Sequence, residues 1–142
     1  MTETREINGR CLCGAVTVTA TVTKPIVRAC HCDMCRRHTS SMYMSLATDP
    51  GSVEFDGPAK SFRSSDWAER GFCETCGSTL WYGTVADGQR HISAGLFDNA
   101  AAAPLKLEFF ADQTPEGYAL AGDHRRMTTA ECEAAFAPEG DR

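Results

Sequence analysis

Seven of the eight cysteines in this 142-residue chain fall into three tight groups: Cys11-Leu12-Cys13, Cys30-His31-Cys32-Asp33-Met34-Cys35 and Cys73-Glu74-Thr75-Cys76-Gly77. Thiols at these spacings suit metal binding. Residues i and i+2 of an extended segment point to one face, so Cys11 and Cys13 offer two sulfurs to a single ion. A Cys-x-x-Cys segment bends into a knuckle, and a following glycine such as Gly77 relieves strain where the backbone must turn left-handed. A structural zinc takes four ligands, whereas a catalytic zinc commonly has three protein ligands and an open position. Seven thiols divide as four plus three, which predicts two zinc ions, one structural and one catalytic. The three-ligand ion is expected to be the more labile. Spacing alone leaves the pairing open. The two Cys-x-x-Cys units could form a ribbon-type site, although roughly forty residues separate them, longer than the usual ribbon spacing. Alternatively Cys11 and Cys13 join Cys73 and Cys76, and Cys30, Cys32 and Cys35 form a compact three-thiolate set.

The bulk of the chain makes so many cysteines stand out. Its length is that of a single domain, residues 1–142, and 42% hydrophobic with 23% charged residues is ordinary for a globular protein. The net charge of −5 argues against nucleic acid as a partner, because phosphate backbones are bound by basic faces. The N-terminal Met-Thr-Glu-Thr-Arg-Glu is polar, with no apolar run suited to a signal peptide or a bilayer span. A cytoplasmic location without membrane association is the expectation, and a homo-oligomer is compatible with the sequence. In a reducing cytosol, dense cysteine use reads as metal binding or catalysis rather than as a disulfide scaffold.

The elements that must position these thiols are mostly strands. Val16, Val18, Ala20 and Val22 alternate with Thr17, Thr19 and Thr21, the period-two pattern of a half-buried strand. Further strands are predicted at 26–30, 42–48, 53–56, 60–64, 79–85, 90–96 and 105–110. Asp49-Pro50-Gly51 and Asp56-Gly57-Pro58 read as turns, and Asp87-Gly88 suits a tight hairpin. One helix is predicted, at about 128–137. Thr128 and Glu131 make its capping box, Met127 and Cys132 its hydrophobic staple, and Cys132 shares a face with Phe136. That gives the eighth cysteine a packing role.

The order Gly9-x-Cys11-x-Cys13-Gly14-Ala15-Val16, then Cys30-His31-Cys32-x-x-Cys35-Arg36-Arg37, then Gly71-Phe72-Cys73-x-x-Cys76-Gly77-Ser78 resembles the glutathione-dependent formaldehyde-activating enzyme (Gfa-like) family. The centromere protein V domain is of the same kind. The resemblance covers about residues 5–112 and extends weakly into 118–124, giving a core of about 5–124. It implies a mainly β fold, the β-tent, built of small coiled antiparallel sheets clamped by zinc. It also implies Cys11, Cys13, Cys73 and Cys76 on the structural zinc and Cys30, Cys32 and Cys35 on the catalytic zinc. One departure is visible: the family often has Thr-Gly after Cys-Arg-Arg, where this chain has Thr39-Ser40.

A zinc with three thiolates carries a net charge of about −1, so it is a poor Lewis acid but can still take a fourth sulfur. Binding lowers that thiol's pKa and delivers thiolate at neutral pH. That chemistry favours a thiol substrate over hydrolysis, and the resemblance implies a carbon–sulfur lyase acting on a small thiol adduct, such as glutathione plus formaldehyde giving S-hydroxymethylglutathione. The alternative is a non-catalytic zinc module that binds glutathione or a protein partner. Counting seven thiolates and two zinc ions moves the net charge to about −8. An acidic tripeptide then needs local positive charge, for which Arg36 and Arg37, and also Arg28, are candidates through bidentate carboxylate contacts. His31 lies between Cys30 and Cys32, so in an extended segment it points away from the metal and reads as packed rather than ligating. His38, His91 and His124 give no comparable signal, and Trp67, Trp81 and Tyr82 read as core aromatics beside strands.

Overall fold

In the computed structural model, residues 3–136 are described. In chain order the elements are β1 (Arg5–Arg10), β2 (Thr17–Val22), β3 (Val27–Cys30), α1 (Asp33–Thr39), β4 (Tyr43–Leu46), β5 (Glu54–Asp56), β6 (Ala59–Arg63), β7 (Ala68–Cys73), β8 (Thr79–Thr84), β9 (Arg90–Ser93), β10 (Leu105–Phe109), β11 (Arg125–Arg126) and α2 (Thr129–Phe136). The protein is mainly β, with small sheets and a short C-terminal helix. Among the described residues no helix is long and apolar enough to cross a membrane. The chain forms two compact units. The first runs to Val27 and resumes over Met44–Pro104; the second takes Arg28–Tyr43 and the chain from Leu105 onward.

The first unit holds an antiparallel sheet in the order β1-β2-β5, with Ile7 opposite Ala20 and Val18 opposite Phe55. Val18, Ala20 and Val22 point inward and are buried, as the alternation predicts. A second antiparallel ladder runs β9-β8-β7-β6. The β8–β9 hairpin turns at Asp87-Gly88, where Gly88 has φ +69° and the Gln89 N–H donates to Asp87 Oδ1 at 3.0 Å. Cys11, Val16, Cys73, Leu80 and Trp81 form a buried cluster, with Phe55 packed on Trp81 at a ring separation of 4.8 Å. Burying a large apolar side chain contributes about 1.5–3 kcal/mol, so this cluster anchors two of the cysteine segments.

Strands β1 and β7 were not apparent from periodicity. Only Ile7 of β1 is buried, so the strand carries no alternation. In β7 the inward positions include Arg70, 2% exposed, whose guanidinium lies 4.8 Å from the centre of the Tyr82 ring. A charged residue facing inward erases the apolar pattern, while the cation–π contact offsets part of its desolvation.

In the second unit the strand order is β11-β10-β3, and β11 runs parallel to β10, an exception to the antiparallel expectation. Helix α2 begins as predicted. The Thr128 N–H donates to Glu131 Oε1 at 3.0 Å and the Glu131 N–H to Thr128 Oγ1 at 3.2 Å. Met127 and Cys132 are both buried, and the Phe110 N–H donates to the Cys132 sulfur at 3.3 Å. Phe136 packs edge-on against Phe109 while staying half exposed. The predicted helix end at residue 137 lies outside the described residues.

Candidate metal centres

In the first unit the sulfurs of Cys11, Cys13, Cys73 and Cys76 lie within 4.8 Å of one another. Cys13 stands 3.7 Å from Cys11 and 3.9 Å from Cys73. Four sulfurs placed about 2.3 Å from a tetrahedral zinc are about 3.8 Å apart, so the donor set suits that ion. Each sulfur also accepts a hydrogen bond. The Val16 N–H serves Cys11 (3.3 Å), the Ala15 N–H Cys13 (3.4 Å), the Cys76 N–H Cys73 (3.5 Å), and the Ser78 hydroxyl Cys76 (3.2 Å). Gly14 at φ +82° and Gly77 at φ +79° allow the chain to fold back over the sulfurs in the two knuckles.

These contacts act unequally on the four thiols. The Ser78 hydroxyl and backbone hold Cys76 down to about 5. At Cys13 the Ala15 N–H pulls downward, but burial and the neighbouring thiols push it up to about 11. Thiolates this close repel one another, and a divalent cation is what lets all of them lose their protons together.

The second unit gathers Cys30, Cys32 and Cys35, again within 4.8 Å. Cys30 ends β3, and Cys32 is the N-cap of α1 with extended backbone (φ −63°, ψ 159°). Its sulfur takes the place of the usual capping oxygen, accepting the Cys35 N–H at 3.4 Å, while its carbonyl accepts the Arg36 N–H at 2.9 Å. The positive end of the helix backbone favours thiolate at this position. No periodicity marks helix α1, because Cys35 is its sole buried residue and one apolar position makes no period. Cys30 is pushed well above the ordinary thiol range by the Cys32 and Cys35 thiols and then by burial. Among the described residues no fourth Cys, His, Asp or Glu joins this group. The set could hold a metal ion and leave one coordination position for another molecule.

Arg36 and Arg37 project from α1 into solvent, and both pair with Asp33, at 2.6 Å and 3.0 Å. Arg28 is half buried, and that burial lowers its pKa. Trp81 is core, whereas Trp67 is 53% exposed. His31 is packed, not ligating in character: its ring is buried and Nε2 donates to Glu108 Oε1 at 2.7 Å. Glu108 Oε2 receives Nε2 of His124 and, at 3.1 Å, Nε of Arg126. Burial works to raise the Glu108 pKa, but the bonds from His124 and His31 outweigh it and hold the carboxyl below its usual range. Periodicity gave no sign of this network, since Glu108 lies 77 residues from His31 and 16 from His124.

The glutathione-dependent formaldehyde-activating enzyme family matches residues 6–113. An uncharacterized lyase of Schizosaccharomyces pombe is 32% identical over 128 residues, spanning 89% of this chain and 93% of the relative. A crystal structure of a Rhodobacter sphaeroides protein shares the fold. It aligns with a TM-score of 0.54 at 17% identity, over 70% of this chain and all of that one. With the family match running through all three cysteine groups, the chain belongs to the glutathione-dependent formaldehyde-activating enzyme family.

Proposed function

We propose that this protein is a carbon–sulfur lyase-like enzyme for a small thiol adduct, interconverting glutathione and formaldehyde with S-hydroxymethylglutathione. The observation that carries the reading is the three-sulfur group of Cys30, Cys32 and Cys35, which no fourth donor completes among the described residues. Family membership and the lyase name of the yeast relative support the reaction class. Zinc held by these cysteines would supply a position for a fourth sulfur and lower the pKa of a thiol bound there.

The chain's own part is binding and orientation. Cys30, Cys32 and Cys35 act as ligands, with Cys32 fixed at the start of α1 by the Cys35 N–H. Arg36 and Arg37 lie on the helix that carries Cys35 and are the proposed contacts for the substrate carboxylates, exchanging their exposed pairing with Asp33 for the ligand. In the synthetic direction the substrate thiolate attacks the aldehyde carbon. One carbon–sulfur bond forms, the carbonyl π bond opens, and the oxygen takes up the proton that the thiol gave up. Cys11, Cys13, Cys73 and Cys76 are assigned to a structural zinc, which leaves the first unit outside the chemistry.

Titrating the zinc-loaded protein with glutathione, alone and with formaldehyde, tests the proposal. Glutathione is expected to bind and adduct formation to exceed the spontaneous rate, with both lost in Cys32→Ser. Binding without acceleration would reduce the site to a non-catalytic thiol receptor; neither binding nor acceleration would remove glutathione as the substrate.

A further inference from the structure

Glu108 is 3% exposed, and its carboxylate partners His31, His124 and Arg126 belong to the second unit. On one side, Oε1 accepts His31 Nε2, and the neighbouring Phe109 carbonyl accepts the His31 main-chain N–H at 3.1 Å. Two adjacent residues of β10 therefore grip His31 by ring and backbone. His31 is flanked directly by Cys30 and Cys32. On the other side, Oε2 is held by His124 and Arg126, and the Met127 N–H donates to the Glu108 carbonyl at 2.8 Å. These partners lie past residue 113, where the family match ends. A buried carboxylate with this many donors is costly to leave incomplete, so it holds its neighbours in one arrangement. We propose that Glu108 is a positioning residue for the three-thiol loop, clamping His31 so that Cys30 and Cys32 converge with Cys35, and that His124 and Arg126 make the chain beyond residue 113 part of that site.

The inference rests on the proposed open metal site at Cys30, Cys32 and Cys35. It says that metal retention there depends on an anchor that touches no sulfur. Partners that orient metal ligands typically change affinity by about 10- to 100-fold when lost. Co2+ loading with chelator competition, on wild type, Glu108→Gln and Arg126→Met, reads the two sites separately, because the Cys11–Cys76 group serves as an internal control. The expected result for Glu108→Gln is two ions bound, one held as in wild type and one weakened about 10- to 100-fold. A changed cobalt d–d band is expected at that weakened site. Arg126→Met is expected to shift the same site in the same direction, and it decides the matter if Glu108→Gln fails to fold. Wild-type affinity at both sites in the deciding variant would overturn the proposal, as would a wild-type protein that takes up a single ion. Adding glutathione to the cobalt-loaded wild type tests the thiol reading independently: an unmoved spectrum would sink that reading while leaving the metal comparison intact.

Discussion

The two cysteine groups use the same ligand atom and are built in opposite ways. In the first unit Cys13 and Cys73 meet across 60 residues of chain, and Cys11 and Cys73 are buried in a cluster with Val16, Leu80 and Trp81. In the second unit Cys30, Cys32 and Cys35 come from one short segment, closed by a helix cap. Joining distant segments removes more freedom from the unfolded chain than joining neighbours. The difference between these two loops is on the order of 2 kcal/mol in closure entropy alone. A metal held by the first group would thus be bound up with the fold, and one held by the second would add little to it. That frees the second group to lack a ligand. If the proposed roles hold, sequence span and not ligand type is what would separate a structural metal site from a reactive one.

The largest expected effect breaks the comparison at its strong end. Structural zinc supplies on the order of 10 kcal/mol of folding free energy, so Cys73→Ser should lose the first ion and the cooperative unfolding of the first unit. Cys32→Ser should lose only the second ion and the thiol chemistry, with far-ultraviolet circular dichroism unchanged. Native mass spectrometry on both variants reads the counts; a Cys73→Ser protein that stays folded with one ion would erase the distinction.

Acid should separate the sites next. Protons compete with metal for thiolate, and a group whose pKa is raised takes its proton at higher pH. Cys30 is pushed up by its neighbouring thiols and burial; in the first group Cys13 is also raised, to about 11, while Ser78 holds Cys76 at about 5. As pH falls, the second ion should leave first, since three thiolates rather than four hold it against protons, and a chromophoric chelator follows the release. Simultaneous release would mean that the two sites are equivalent.

The smaller effects ask whether the scaffold of the second unit matters apart from its ligands. Cys132 is fully buried, accepts the Phe110 N–H and belongs to neither sulfur group. Cys132→Ala should leave two ions bound and cost about 1 kcal/mol, measured from the urea midpoint. Ser40, which ends α1 where the family often has glycine, sits at φ +73° and donates its N–H to the Arg36 carbonyl at 2.7 Å. Ser40→Gly should stabilise the protein by about 0.5–1 kcal/mol and tighten the second ion slightly. A side chain in the left-handed region costs about 1–2 kcal/mol, and the extra freedom of glycine in the unfolded chain offsets part of the gain. A destabilised variant would show that the serine hydroxyl has its own partner.

Much of this was legible beforehand, for local reasons. The Thr17–Val22 alternation, the Asp87-Gly88 hairpin and the Thr128–Glu131 capping box each depend on residues within a few positions of one another. The short helix after Cys32 and the strand through Arg70 were hidden. One buries a single residue, and the other turns a charge inward.

By itself, the sequence determined that the chain is mainly β and that its thiols come in three metal-ready groups, because knuckle spacing and strand period are properties of adjacent residues. Its resemblance to the formaldehyde-activating family suggested how those groups divide. Only the tertiary structure decided which sulfurs stand within reach of one another, that Arg36 and Arg37 pair with Asp33, and that Glu108 draws together His31, His124 and Arg126. A buried carboxylate takes whatever donors the fold brings to it, from 16 or 77 residues away, and no spacing rule reaches that far.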